Sequence, residues 1–146
     1  MRRAAIARVL EPAGHPVQTL NLDNTGDEGK YLAVIGPYLR AHPEVGAVIS
    51  GGSSGANPTA KYVADNQLSL PVATFDVGQT TSTYIQQGII TVAINQQPFL
   101  EGYMAVANLA LHLKYGFQPV NVNTGTQIVD RSNVDRVLSL IAQGRG

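Results

Sequence analysis

Short β-branched runs alternate along this chain with stretches whose apolar residues recur at helical spacing, and that alternation restricts the fold more than any other feature. Gly46 to Ser50 (GAVIS), Pro71 to Phe75 (PVATF) and Ile89 to Ile94 (IITVAI) are continuous apolar runs of strand length. Such runs suit strands of a parallel sheet, which are covered on both faces. Between and around them lie helical patterns: Arg2 to Glu11, closed by Pro12-Ala13-Gly14; Asp27 to Ala41, where Pro37 predicts a kink or a new turn; and a segment carrying Tyr62 and Val63 that runs to about Asn66. Thr80 to Gln87 is a brief helix stopped by Gly88. Pro98 opens a long one with Phe99, Tyr103, Val106, Ala110 and Leu113 on one face, expected to be core, and Tyr115-Gly116 ends it. Val17 to Leu22 alternates apolar and polar residues as a strand does. A last strand at Thr126 to Val129 and a helix from Ser132 to about Ala142 complete the pattern.

The 146 residues suffice for one domain with one core. Apolar residues make up 44% of them and charged residues 14%, a balance that folds rather than one that stays disordered. Ten Lys and Arg offset ten Asp and Glu, so no net positive field draws the chain to phosphate backbones, and no nucleic-acid partner is expected. The absence of Cys excludes disulfides, thiolate metal sites and thiol nucleophiles. The His residues, His15, His42 and His112, are scattered, so a zinc site is not expected, and the reading as a whole implies no cofactor or metal. No apolar run approaches the ~20 residues needed to span a bilayer. Met1 to Ala7 has the look of a secretory leader, but Arg8 interrupts it and Glu11-Pro12 ends it. The start therefore reads as part of the fold, with no signal peptide.

In open α/β sheets ligands bind at the carboxyl ends of the strands, where loops converge and helix N-termini point inward. Three loops qualify: Gly51 to Gly55, Asp76 to Gly78, and Asn95 to Gln97. Asp76 is the only acidic residue among them. Its carboxylate either accepts hydrogen bonds from adjacent hydroxyls, as a sugar offers, or caps the helix starting near Thr80. Gln96 joins an acceptor to a donor, which suits a neutral polyol or a solvated loop. The glycine-rich loop lacks both the Walker lysine and a GxGxxG pattern. It does match GxSxG, and Ser53, Asp76 and His112 follow in hydrolase order. His112, however, falls mid-helix on the polar face with Glu101 and Asn108, away from any strand end. A turn that uses glycine for positive φ explains the loop equally.

Taken in order, GAVISGGSSG, PVATFDVG, YIQQGIITVAINQQPFLEGYMAV and TGTQIVDRSNV resemble the C-terminal lobe of periplasmic sugar-binding proteins, the ribose-binding-like solute receptors of ABC transporters. The resemblance rests on Phe75-Asp76 closing a strand, Gly88 before IITVAI, Gln96 and Pro98 with Gly102 four residues on, and the late Asn133-Val134. It implies a flavodoxin-like or Rossmann-like three-layer α/β fold with a mostly parallel sheet, and residues 1–146 as one lobe. The implied function is carbohydrate binding without chemistry, for an ABC importer whose permease is the partner of the full-length parent. By the same likeness Asp76 and Gln96 hold sugar hydroxyls. Where the family often has an Asn-Asp pair this chain has Gly51-Gly52-Ser53-Ser54, so Ser53 and Ser54 are the ligand residues expected there. Two other readings stay open: a serine hydrolase using Ser53, and the ligand-binding core of a sugar-responsive repressor, which shares this fold.

Receptors of this kind have two lobes, and the family lobe opens with a strand that is missing here, since the first pattern in this chain is already helical. A fragment of a periplasmic or extracellular parent is therefore expected. In the strand order 2-1-3-4-5 the missing strand would leave a lane about 10 Å wide between Val17 to Leu22 and Gly46 to Ser50. Unpaired backbone groups there are costly. Either the two strands close up and pair, or a second copy enters, and the expectation is a homodimer.

Overall fold

The computed structural model describes residues 1–22, 26–125 and 127–145. In chain order these form α1 (Arg2–Leu10), a 3-10 turn (Glu11–Ala13), α2 (Glu28–Ala41), β1 (Val48–Ile49), α3 (Ser53–Asp65), β2 (Val72–Phe75), α4 (Gln79–Gln86), β3 (Ile90–Asn95), α5 (Pro98–Tyr115), β4 (Gln127–Val129) and α6 (Val134–Ala142). β1, β2 and β3 are parallel neighbours in sequence order, and β4 joins β3 antiparallel, so the sheet is mostly parallel as expected. Helices bridge the parallel strands because a parallel return needs a long crossover. That requirement puts all three parallel carboxyl ends on one edge.

Local chemistry sets the helix ends. The Asp27 carboxylate accepts from the Lys30 N–H at 3.2 Å and caps α2. Pro37 neither ends nor divides that helix. Gly88 and Gly116 stop α4 and α5 in left-handed conformations, φ +78° and +72°, which cost glycine little.

The core lies between the sheet and one helical layer. Ala56, Ala60 and Val63 of α3, Val72 of β2, Ile85 of α4, Ile90 and Ala93 of β3, Val129 of β4, and Val134 and Val137 of α6 form one buried cluster. The Gln86 amide donates to the Asp135 carboxylate at 2.7 Å and ties α4 to α6. α2 lies against α3, with Gly36 so close to the Tyr62 ring that an added Cβ would stand 3.0 Å from it. On the other face of the sheet Ile49 and Ile128 stay 40% and 61% exposed.

Three expectations are corrected. Residues 17–22 form no strand. With no lane beside them to complete a ladder, their polar groups serve the helices instead: Thr19 Oγ1 accepts from Arg3 Nε at 2.8 Å, and Gln18 Oε1 accepts from the Tyr38 hydroxyl at 2.6 Å. They do not close up onto β1, which stands at the sheet edge with β2 as its neighbour. The GAVIS segment is accordingly not buried on both faces. Third, the Phe99–Tyr103–Val106 face of α5 is not core, since α5 has no buried residue. The expected start of the last strand, Thr126, lies outside the described residues.

Ile85 is fully buried at the centre of the cluster. Ile85→Ala should lower unfolding stability by about 2–5 kcal/mol, read as a reduced denaturant midpoint. A loss under ~1 kcal/mol would show that this cluster is not the core.

Candidate functional site

The parallel ladder brings three strand ends together. β1 runs out at Gly51-Gly52, β2 at Phe75-Asp76 and β3 at Asn95-Gln96. The Asp76 N–H donates to the Ile94 carbonyl at 2.9 Å, continuing the β2–β3 ladder one residue past β2. Asp76 itself sits at φ +68°, a left-handed conformation that Asp tolerates better than most residues and that turns its side chain out of the strand direction. One carboxylate oxygen, Oδ1, accepts from the Gln96 side-chain amide. The other, Oδ2, lies 3.5 Å from where a Cβ on Gly52 would be. Asp76 thus stands between the β1 and β3 loops and is half-buried. It does not cap α4, whose N-cap is Gly78 with no side-chain bond.

The neighbouring Asn95-Gln96-Gln97 stretch divides its labour. Asn95 Nδ2 donates to Gln127 Oε1 at 2.9 Å, and Asn95 Oδ1 accepts from the Gln97 N–H at 3.1 Å. Gln97, at φ +57°, donates from Nε2 to the Thr124 carbonyl at 2.6 Å. These two anchor the turn into α5, leaving Gln96 to face Asp76.

A residue the sequence reading missed completes the group. Arg2 donates from Nη1 to the Gly51 carbonyl, and its guanidinium carbon stands 4.3 Å from the centroid of the Phe75 ring. Its place in a short helical pattern at the chain start carried no signal for this; only the fold brings Arg2 to the strand ends. Ser53 is half-buried and Ser54 exposed, both in the first turn of α3 beside Gly52. The edge therefore offers a carboxylate acceptor, an amide bonded to it, a guanidinium and an aromatic face. That set matches a neutral, hydroxyl-rich ligand, which presents donors, acceptors and apolar ring faces at once.

The hydrolase constellation is not assembled. His112 lies about 20 Å along α5 from the strand ends, at 1.5 Å per residue, and its Nδ1 pairs with the Phe117 carbonyl at 3.0 Å. Phe99 is 48% exposed and stacks on Tyr103 with ring centroids 6.3 Å apart. Among the described residues, no three His, Asp or Glu side chains gather to hold a metal ion.

Fold and site together define an α/β lobe with a polar cluster at the carboxyl edge of its sheet. Residues 1–116 match the periplasmic binding protein domain family, and the chain belongs to that family. It is 25% identical over 115 residues to a xylose/arabinose-binding protein of Sulfolobus acidocaldarius, an alignment that covers 73% of this chain and 29% of that protein. Among solved structures, a carbohydrate transporter from Acidothermus cellulolyticus in complex with myo-inositol is 32% identical, with a TM-score of 0.71, over 82% of this chain and 43% of the other. A periplasmic ribose ABC transporter from Conexibacter woesei superposes over 97% of this chain and 49% of its own, with a TM-score of 0.79 and 22% identity, a likeness of fold. This chain spans less than half the length of each of these relatives.

The left-handed backbone at Asp76 is strained for any residue with a Cβ. Asp76→Gly should therefore be more stable than Asp76→Ala by about 1 kcal/mol in urea denaturation, although both remove the carboxylate. Equal stabilities would mean the conformation stores no strain.

Proposed function

We propose that residues 1–146 are the C-terminal lobe of a two-lobed, periplasmic or extracellular sugar-binding protein. Its role is that of the substrate-binding component of an ABC importer, delivering the sugar to the permease and performing no chemistry on it. The observation that carries this reading is the Asp76–Gln96 pair at the meeting of three strand ends, flanked by Arg2 and Phe75. Asp76 and Gln96 bind ring hydroxyls, Arg2 adds donors, and Ser53 and Ser54 supply hydroxyls from the start of α3. The relatives support the substrate class: one is a xylose/arabinose-binding protein and another was solved with myo-inositol.

A lobe alone supplies half of such a site. Tight small-molecule sites bury most of the ligand surface, and the facing lobe contributes the rest by closing over it. The 146-residue chain should bind pentoses, hexoses and inositol more weakly than micromolar by calorimetry. Micromolar or tighter binding would overturn the single-lobe reading. In the two-lobed protein, Asp76→Ala should cost about 1.5–3 kcal/mol of sugar affinity, the worth of a charge-assisted hydrogen bond. Unchanged affinity would remove Asp76 from the site.

We also propose that the isolated chain is a homodimer. The open edge of β1 and the exposed apolar side chains of the sheet and of α5 support self-association. Light scattering from about 10 to 100 μM should show the mass of two chains. The mass of one chain across that range would refute the dimer.

A further inference from the structure

The two carboxylate oxygens of Asp76 differ in what they meet. Oδ1 accepts from the Gln96 amide, while among the described residues no hydrogen bond reaches Oδ2. On the β1 side Oδ2 faces Gly52. A Cβ added there would lie 3.5 Å from that oxygen, in van der Waals contact with it, and would meet no other residue within 4 Å apart from its chain neighbours. Any side chain at position 52 would therefore stand over the unbonded half of the carboxylate.

Nothing in the fold requires glycine at that position. Within the same loop Gly55 is required by packing, since a Cβ on it would come 2.7 Å from Ser50 Oγ. Gly52 has no such neighbour. Its backbone is extended, at φ −179°, outside the left-handed region that calls for glycine. It is also the N-cap of α3 and makes no side-chain bond there, at a position where Asn, Asp and Ser are favoured. What glycine leaves at position 52 is an approach to Asp76 Oδ2.

Both sides of that approach are held in place. Ser50 Oγ donates to the Gly52 carbonyl at 2.7 Å and accepts from the Gly52 N–H at 3.4 Å. The Ala56 N–H donates to the same carbonyl at 3.2 Å, and Arg2 bonds the carbonyl of Gly51. Asp76 is fixed by its N–H on the Ile94 carbonyl and by Gln96 on Oδ1. Neither the loop nor the carboxylate can move away from an added side chain without breaking these bonds.

We propose that Gly52 is a specificity-determining residue: it leaves the β1 side of Asp76 open, so that a ligand hydroxyl binds Oδ2 with its ring lying against bare backbone. The proposal rests on the sugar-binding reading above and adds the side from which the ligand reaches Asp76. A carboxylate only accepts, so the group arriving at Oδ2 is a hydroxyl that donates. The bond is charge-assisted, and glycine is the residue that lets a ring come that close to the backbone.

A double-substitution cycle in the full-length, two-lobed protein tests this, titrated by calorimetry with xylose, arabinose, glucose and myo-inositol. Gly52→Ala should weaken sugar binding about threefold or more. Gly52→Asn, whose longer side chain reaches over Oδ2 yet suits the N-cap of α3 and so keeps the fold, should weaken it about tenfold or more at an undiminished urea midpoint. In the Asp76→Ala background the same two changes should alter affinity by less than about twofold, because the oxygen they cover is gone. Equal losses in both backgrounds would mean that position 52 acts on the ligand independently of Oδ2, and would overturn the inference. Unchanged affinity of both Gly52 variants with Asp76 in place would overturn it too, and either result leaves the sugar-binding reading standing. Failure of the unsubstituted full-length protein to bind any of these sugars would overturn that reading and this inference together.

Discussion

The parallel ladder between Val72–Phe75 and Ile90–Asn95 is the interaction on which the rest of the structure depends. It holds two strand ends in adjacent lanes, ~4.8 Å apart, and extends through the bond from the Asp76 N–H to the Ile94 carbonyl. That backbone bond carries the ladder one residue past β2 to Asp76, where the chain turns into its left-handed conformation. Gln96, one residue past β3, is then within reach of the carboxylate. The buried helices α3, α4 and α6 secure the ladder from one side, through Val72, Ile85, Ile90 and Val129. Packing below and the polar cluster at the edge are thus two consequences of one strand register.

The opposite side of the sheet shows what happens when a parallel sheet lacks a neighbour. A parallel strand is stable when it is paired on both edges and covered on both faces. β1 has β2 on one edge, and its Ile49 is part-exposed. Residues 17–22 carry a strand's alternation yet make their contacts through side chains to Arg3 and Tyr38. α5 shows the same: Asn108 and His112 bond to residues 117–120, while among the described residues nothing covers Phe99, Tyr103 and Val106. Surface of this kind drives self-association or awaits a companion lobe.

Much of the fold was legible because its signals are local. The β-branched run IITVAI, Pro98 at the start of α5, and Gly88 and Gly116 at helix ends each act over a few residues, and each is found where expected. The Asp76–Gln96 pairing was legible only in part. Their positions at strand ends follow from the alternation of elements, but sequence offers Asp76 a capping role of equal chemistry, and only the observed turn to Gly78 withdraws it. Arg2 was not legible at all. Its contacts with Gly51 and Phe75 span 49 and 73 positions, a separation that no periodicity encodes.

By itself the sequence determined the class of elements, their order, the even charge balance, and the polar side chains at three strand ends. These depend on local backbone preference and on composition, which are properties of neighbours along the chain. Only the tertiary structure decided which apolar faces are buried and which polar groups meet. Burial is a property of what lies opposite: the same helical stripe is core when covered and surface when not. For 17–22 and for α5 no covering element stands among the described residues, so patterns that read as strand and core resolve instead into extended chain and open helix.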